Sequence, residues 1–204
     1  HIPDVAGFTE GLRTLVSDHG MVSIEVHHAL HLVADAQFDT VYHEHFQYWT
    51  VLTATRALAK GDLTVVDVEE LPTHGGSIRV WATPSANAGP PSGRTLDLLA
   101  AEQRAGLHHV AGYRGLEKAA RGVRATLLEF LLDCRRRGER VVGYGAPGKG
   151  NTLLNYCGIR TDLLEYTVDR NPYKHGRFTP GTRIPVHHPD RIAADRPDVV
   201  LVLP

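Results

Sequence analysis

The sequence predicts an α/β fold, on three observations. Apolar runs of strand length alternate with segments of helical spacing. A glycine-rich stretch, Gly143-Tyr144-Gly145-Ala146-Pro147-Gly148, stands between a strand-like run and a helix-like one. Residues 83–93 hold three prolines, two glycines and two serines, a linker composition. We therefore expect a first part at residues 1–83, a linker and helical region at 84–138, and a second α/β part at 139–204.

The elements follow in order. Ile2, Val5, Phe8, Leu12 and Leu15 recur at close to helical spacing, with Asp4 as N-cap and Gly20 as stop. Residues 21–26 read as a short buried strand. Residues 47–60 read as a helix closed by Gly61, and 63–68 and 78–83 as strands. His74-Gly75-Gly76 between them marks a turn or a close backbone approach.

A long helical stretch is expected over residues 95–138, broken near 112–115. Leu116, Val123, Leu127, Phe130, Leu131 and Cys134 are assigned to one face. Arg135-Arg136-Arg137 suits the C-terminal end of its dipole better than a phosphate site. Residues 140–144 then read as a strand, 145–150 as a loop, 151–156 as the start of a helix and 164–168 as a strand. The chain closes on an apolar strand, 199–203.

Composition narrows the function. The 204 residues carry a formal net charge of -1, not basic enough to suggest nucleic acid as the main partner. No apolar run approaches the roughly 20 residues that span a bilayer. The only cysteines, Cys134 and Cys157, give no disulfide framework and no four-cysteine zinc site. We read them as reduced thiols of a cytoplasmic protein, Cys134 as core. Thirteen histidines are present, but adjacent pairs diverge on helices and strands, and no H-E-x-x-H occurs. No metal site is expected. The chain begins at His1 and stops on a strand, so both ends read as cut.

The chemistry concentrates at Tyr42-His43-Glu44-His45, a phenol, two imidazoles and a carboxylate in consecutive positions. Histidine is the commonest general base near neutral pH. His43 is expected to alternate away on an extended segment.

The glycine stretch reads two ways. With Asp169 at the end of the next strand it satisfies the dinucleotide fingerprint, hence an NAD-dependent oxidoreductase. Its amides and Lys149 would equally cradle the pyrophosphate of a nucleotide sugar. Arg170, Lys174, Arg177 and Arg183 make the following segment basic. Tyr173 or Phe178 offers a face for a pyrimidine base.

Four stretches in order carry a resemblance: FDTVYHEHF at 38–46, VDVEELPTHGGSIRV at 66–80, GYGAPGKGNTLLNYCG at 143–158 and VDRNPYKHGRFTPGTRIP at 168–185. Together they resemble the S-adenosylmethionine-dependent C-methyltransferases of nucleotide-linked keto-deoxysugars. The resemblance implies a partial class I methyltransferase-like half followed by a Rossmann-like C-terminal domain. It implies a deoxysugar or antibiotic pathway and a TDP-linked keto-deoxysugar as partner, with a monomer or small homo-oligomer expected.

It also assigns roles. His45 would be the base that removes the proton beside the ketone. Tyr42, Glu44 and His1, the last in an H-I-P-D match, would line the sugar site. Gly145, Ala146, Gly148, Lys149, Gly150, Asp169, Lys174 and Arg177 would hold the nucleotide part.

Two family features do not occur in these residues. One is the cysteine-rich zinc segment and the other the S-adenosylmethionine loop. The cofactor site is therefore expected mostly outside this chain, zinc only in a preceding segment, and the fragment alone is expected to be inactive. A non-catalytic nucleotide-sugar-binding module remains the further alternative.

Overall fold

A computed structural model describes residues 1–204. Contacts divide the chain into two units. Unit 1 is His1–Gln37 with His43–Glu117, and unit 2 is Phe38–Tyr42 with Lys118–Pro204. The residue 38–46 motif is thus divided between them, Tyr42 with unit 2 and His43 onward with unit 1.

Unit 1 begins with α1, Val5–Leu15, and Asp4 caps it as expected, its Oδ1 accepting from Gly7 N at 3.0 Å. The helix stops before Gly20, because Val16 is already extended at ψ 133°. Strand β1 (Val22–His27) leads into a short helix α2 (Ala29–Ala34) that the apolar pattern does not reveal.

Helix α3 (Val51–Lys60) starts later than the periodicity suggests. Trp49 bridges to His28 in extended form, and a Thr50/Thr53 capping box fixes the start. Strands β2 (Leu63–Leu71) and β3 (Ser77–Pro84) complete an antiparallel sheet of order β1-β3-β2. Helix α4 (Gly93–Arg104) follows.

Val51, Leu58, Leu63, Val68, Ile78, Val80 and Leu98 form the core of unit 1. Burying each such side chain contributes about 1.5–3 kcal/mol. The proline- and glycine-rich segment 83–93 stays in this unit. Ser92 N donates to Val66 O at 2.8 Å, and the Ser92 hydroxyl caps α4.

Helix α5 (Arg114–Arg136) carries the chain into unit 2. The expected break near residues 112–115 is a short 3-10 turn at Val110–Tyr113. The buried face of α5 is Ala120, Leu131 and Cys134, with Leu127 and Leu128 packed partly against the same core. Val123 and Phe130, assigned to that face from sequence, are exposed. Arg135, Arg136 and Arg137 pair with Asp162, Asp133 and Glu139, so their charges are balanced by carboxylates.

Strands β4 (Val141–Tyr144), β5 (Thr167–Val168), β6 (Val186–His187) and β7 (Val199–Val202) form a wholly parallel sheet of order β6-β5-β4-β7. Helix α6 (Gly148–Cys157) follows β4, and α7 (Asp190–Asp195) precedes β7. The strand order reverses between β4 and β7, the kind of switch point outside which open α/β sheets bind ligands.

Both cysteines are free and buried, and burial pushes their thiols up. No helix is long and apolar enough to cross a membrane.

Candidate active site

In unit 1 the chain after Tyr42 makes a turn at His43 and Glu44 rather than an extended strand. His43 therefore does not alternate away from its neighbours as expected. Its Nε2 lies 4.0 Å from Glu44 Oε1. His1 Nδ1 lies 3.8 Å from Glu44 Oε2, and the His1 ring stands edge-on to His45, with centroids 4.8 Å apart and planes at 73°. Three of the four residues singled out for catalysis, His1, Glu44 and His45, so converge.

Separations near 4 Å between exposed groups are loose pairings of small worth. They leave the exposed Glu44 carboxylate and His1 ring able to engage another molecule. A cavity of about 250 Å³ opens beside His1. Its walls are apolar, among them Phe8, Ile24 and Trp49, with Glu25 and Gln47 as polar lining.

The His74-Gly75-Gly76 segment is the close backbone approach its sequence suggests. Gly75 and Gly76 have φ of +86° and +122°. A Cβ on Gly76 would stand 2.5 Å from His31 Cγ. Gln37 Nε2 donates to Gly75 O at 2.7 Å, and Gln37 Oε1 meets His27 Nε2 at 2.7 Å. Thr73 donates to Glu25 Oε1 at 2.6 Å, and Arg79 bridges Glu25 and Glu69. The motif thus braces β1 and the segment ahead of residue 38.

In unit 2 the loop after β4 is shaped by its glycines. Gly143 packs where a Cβ would meet the Thr167 hydroxyl at 2.7 Å. Gly145 takes φ +97°, and a Cβ on Gly150 would stand 2.8 Å from Leu203 Cβ. Gly148 lies under Tyr42, since a Cβ there would be 3.4 Å from the phenol carbon Cζ. Pro147 precedes α6 and provides no side-chain cap, leaving Gly148, Lys149 and Gly150 as its first turn.

Asp169 faces inward. Its Oδ1 accepts from Asn171 N at 2.8 Å. Its Oδ2 accepts from Ala146 N at 2.8 Å and from Lys174 Nζ at 2.9 Å. Lys174 Nζ also donates to Ala146 O at 3.0 Å. Burial alone would raise the Asp169 pKa, but the Asn171 amide, Lys174 and the Ala146 amide bring it below the usual carboxylate range. With a side chain only 12% exposed, this acid is poorly placed to take a ribose hydroxyl. That removes the main support for the NAD-type reading. Arg177, Tyr173 and Phe178 are exposed nearby in sequence.

Sequence reasoning missed Glu102. It is fully buried and binds His28 Nε2 at 2.8 Å and the Val51 and Leu52 amides at 2.5 and 3.2 Å. The available signal was its place on the α4 stripe Thr95, Leu98, Glu102, where helical spacing puts an acid on the buried face.

These two units, one with a histidine–carboxylate cluster and the other a parallel sheet with a glycine loop at its switch point, define an α/β fold. Residues 72–204 match the family model for the C-methyltransferase C-terminal domain. The chain is also 34% identical over 203 residues to C-methyltransferase NovU of Streptomyces niveus, covering 100% of this chain and 48% of that protein. The chain belongs to this C-methyltransferase family, and it spans about half the length of the curated relative it matches.

Proposed function

We propose that the protein methylates the carbon beside the ketone of a TDP-linked keto-deoxysugar. The observation that carries this reading is the convergence of His1, Glu44 and His45 in a member of a C-methyltransferase family. A proton next to a ketone has a pKa in water far above that of any side chain, so a positioned base and stabilisation of the enolate are both required.

His45 is the base in this reading, its neutral ring accepting the proton while the sugar becomes an enolate. Glu44 and His1 bind sugar hydroxyls. Within unit 2, the 145–150 loop with Lys149, and Tyr42 over Gly148, are assigned by themselves to a nucleotide pyrophosphate. The uncapped first turn of α6 supports the pyrophosphate assignment, because such amides and the helix dipole favour anions. Asp169 and Lys174 then act by holding the Ala146 peptide in shape.

S-adenosylmethionine, when bound, supplies an electrophilic methyl group. Its ribose calls for a free acid after a glycine loop. The acid that follows the glycine loop here, Asp169, is bonded inward. These residues therefore do not fit the donor's ribose.

The test is to incubate the intact protein with S-adenosylmethionine and a TDP-linked keto-deoxysugar and to read the product by mass and NMR. Gain of one methyl on carbon supports the proposal. Tight TDP binding with no transfer would contradict it.

A further inference from the structure

We infer that His28, His31 and Glu70 form a binding site for a first-row divalent metal of the zinc type. The inference starts at Glu102. Both its oxygens accept from amides at the start of α3, Val51 N on Oε1 and Leu52 N on Oε2. A group that serves two N–H donors acts as an acceptor, so the 2.8 Å contact with His28 is Nε2–H donating to Oε1. In the tautomer that donates from Nε2 to Glu102, the lone pair a metal would use lies on Nδ1.

That atom is buried and has no hydrogen-bond partner. Native structures rarely leave a buried polar atom without a partner.

What surrounds His28 fits a metal. His31 lies one turn along α2, its ring centroid 5.6 Å from that of His28. Glu70 projects from β2, and its Oε1 is 3.3 Å from His31 Nε2. The three ligand atoms all lie within 4.8 Å of one another. Tetrahedral coordination with bonds of about 2.0–2.2 Å needs ligand atoms roughly 3.4 Å apart. The closure falls to His31 and Glu70, whose side chains are 37% and 52% exposed and have room to turn.

The supports beyond the three ligands are also present. Glu102 orients His28 through the ring nitrogen opposite the lone pair, and Asp35 Oδ2 stands 3.8 Å from His31 Nδ1. Such outer carboxylates are the usual partners of metal-bound imidazoles. Gly76 completes the seat. Its carbonyl accepts from His28 N at 3.0 Å, and the His31 ring occupies the space a Cβ there would need.

Two imidazoles and one carboxylate suit zinc and its neighbours. Calcium and magnesium prefer all-oxygen shells. The adjacent His27 takes no part, being bonded to Gln37. Two histidines three positions apart on one turn, with a carboxylate from a strand, make this set.

The test is a cobalt(II) titration of the purified protein, free of any histidine tag, read by visible d–d absorption and reversed with zinc. The expected result is one saturating equivalent with a tetrahedral-type band. His31→Ala and Glu70→Gln should each weaken binding by about tenfold or more. Both residues are partly exposed, so these variants should fold; circular dichroism checks it. His28 is left intact so that Glu102 keeps its partner. His43→Ala, on an exposed histidine elsewhere, should bind as wild type.

Absence of a saturable cobalt site would overturn the inference, as would unchanged affinity in folded His31→Ala and Glu70→Gln. An ordered water on His28 Nδ1 in a crystal grown with zinc would do the same.

Discussion

In unit 1 the turn at residues 43–45 leaves its titratable groups loosely paired, with Glu44 3.8 and 4.0 Å from two imidazoles. In unit 2 the loop after β4 turns its charges on itself, with Asp169 and Lys174 both bonded to the Ala146 peptide at 2.8 to 3.0 Å. Titratable side chains are thus held in opposite ways in the two units. Loose, partly exposed groups suit proton transfer, because they gain new partners when substrate arrives. Inward-bonded charges fix the shape of the backbone they bind. A charged residue inside a motif is therefore not by itself a contact residue, and its bonds decide which kind it is.

The comparison sharpens most at His45. In the intact protein, His45→Ala should slow methyl transfer by about 10²–10⁴-fold, the usual worth of a positioned base. Its TDP affinity should stay within about twofold of wild type by calorimetry, since on this account it acts by deprotonation alone.

Next in size is Glu102→Ala. Removing the carboxylate leaves the buried His28 Nε2–H without its acceptor, at about 1–3 kcal/mol per unsatisfied buried group, and the Val51 and Leu52 amides lose theirs as well. Urea unfolding should show this loss of stability.

Asp169→Asn should cost less, roughly 1.5–3 kcal/mol for a hydrogen bond to a charged group, and should weaken TDP binding indirectly. Its pH signature is specific. The folded Asp169 pKa lies below its ordinary value, so its stabilising contribution is complete above about pH 4. It is lost as pH falls through the lower folded value. The variant should show a shallower acid slope in denaturation between those two values. An unchanged slope would break the contrast between the two loops.

The smallest effect is expected at His43→Ala, whose side chain is 88% exposed. Transfer rate should stay within about twofold, since exposed pairs of this kind contribute little.

Much of this was legible beforehand because it is local. Asp4 as a cap, the break in the long helical stretch near 112–115, the strand–loop–helix at 141–157 and the tight backbone at Gly75 and Gly76 all follow from short spacings. The convergence of His1 with Glu44 and His45 depends on how α1 and the residue 43–45 turn pack, which no spacing encodes. Helix α2 was hidden because six residues are too few for periodicity to register. The exposure of Val123 and Phe130 shows the limit of helical phase when several faces carry apolar residues. Glu102 and His28 meet across 74 positions, and Asp169 reads the same in sequence whether its carboxylate faces a ribose or its own loop.

The central claim, that His45 removes the proton beside the ketone, is tested most directly without methyl transfer. A TDP-linked keto-deoxysugar in D₂O, with the intact protein, can be followed by NMR for deuterium entering the carbon next to the ketone. The account predicts that wild type speeds this exchange and that His45→Ala, with TDP binding intact, does not. Exchange at the wild-type rate in His45→Ala would contradict it and move the base to another residue.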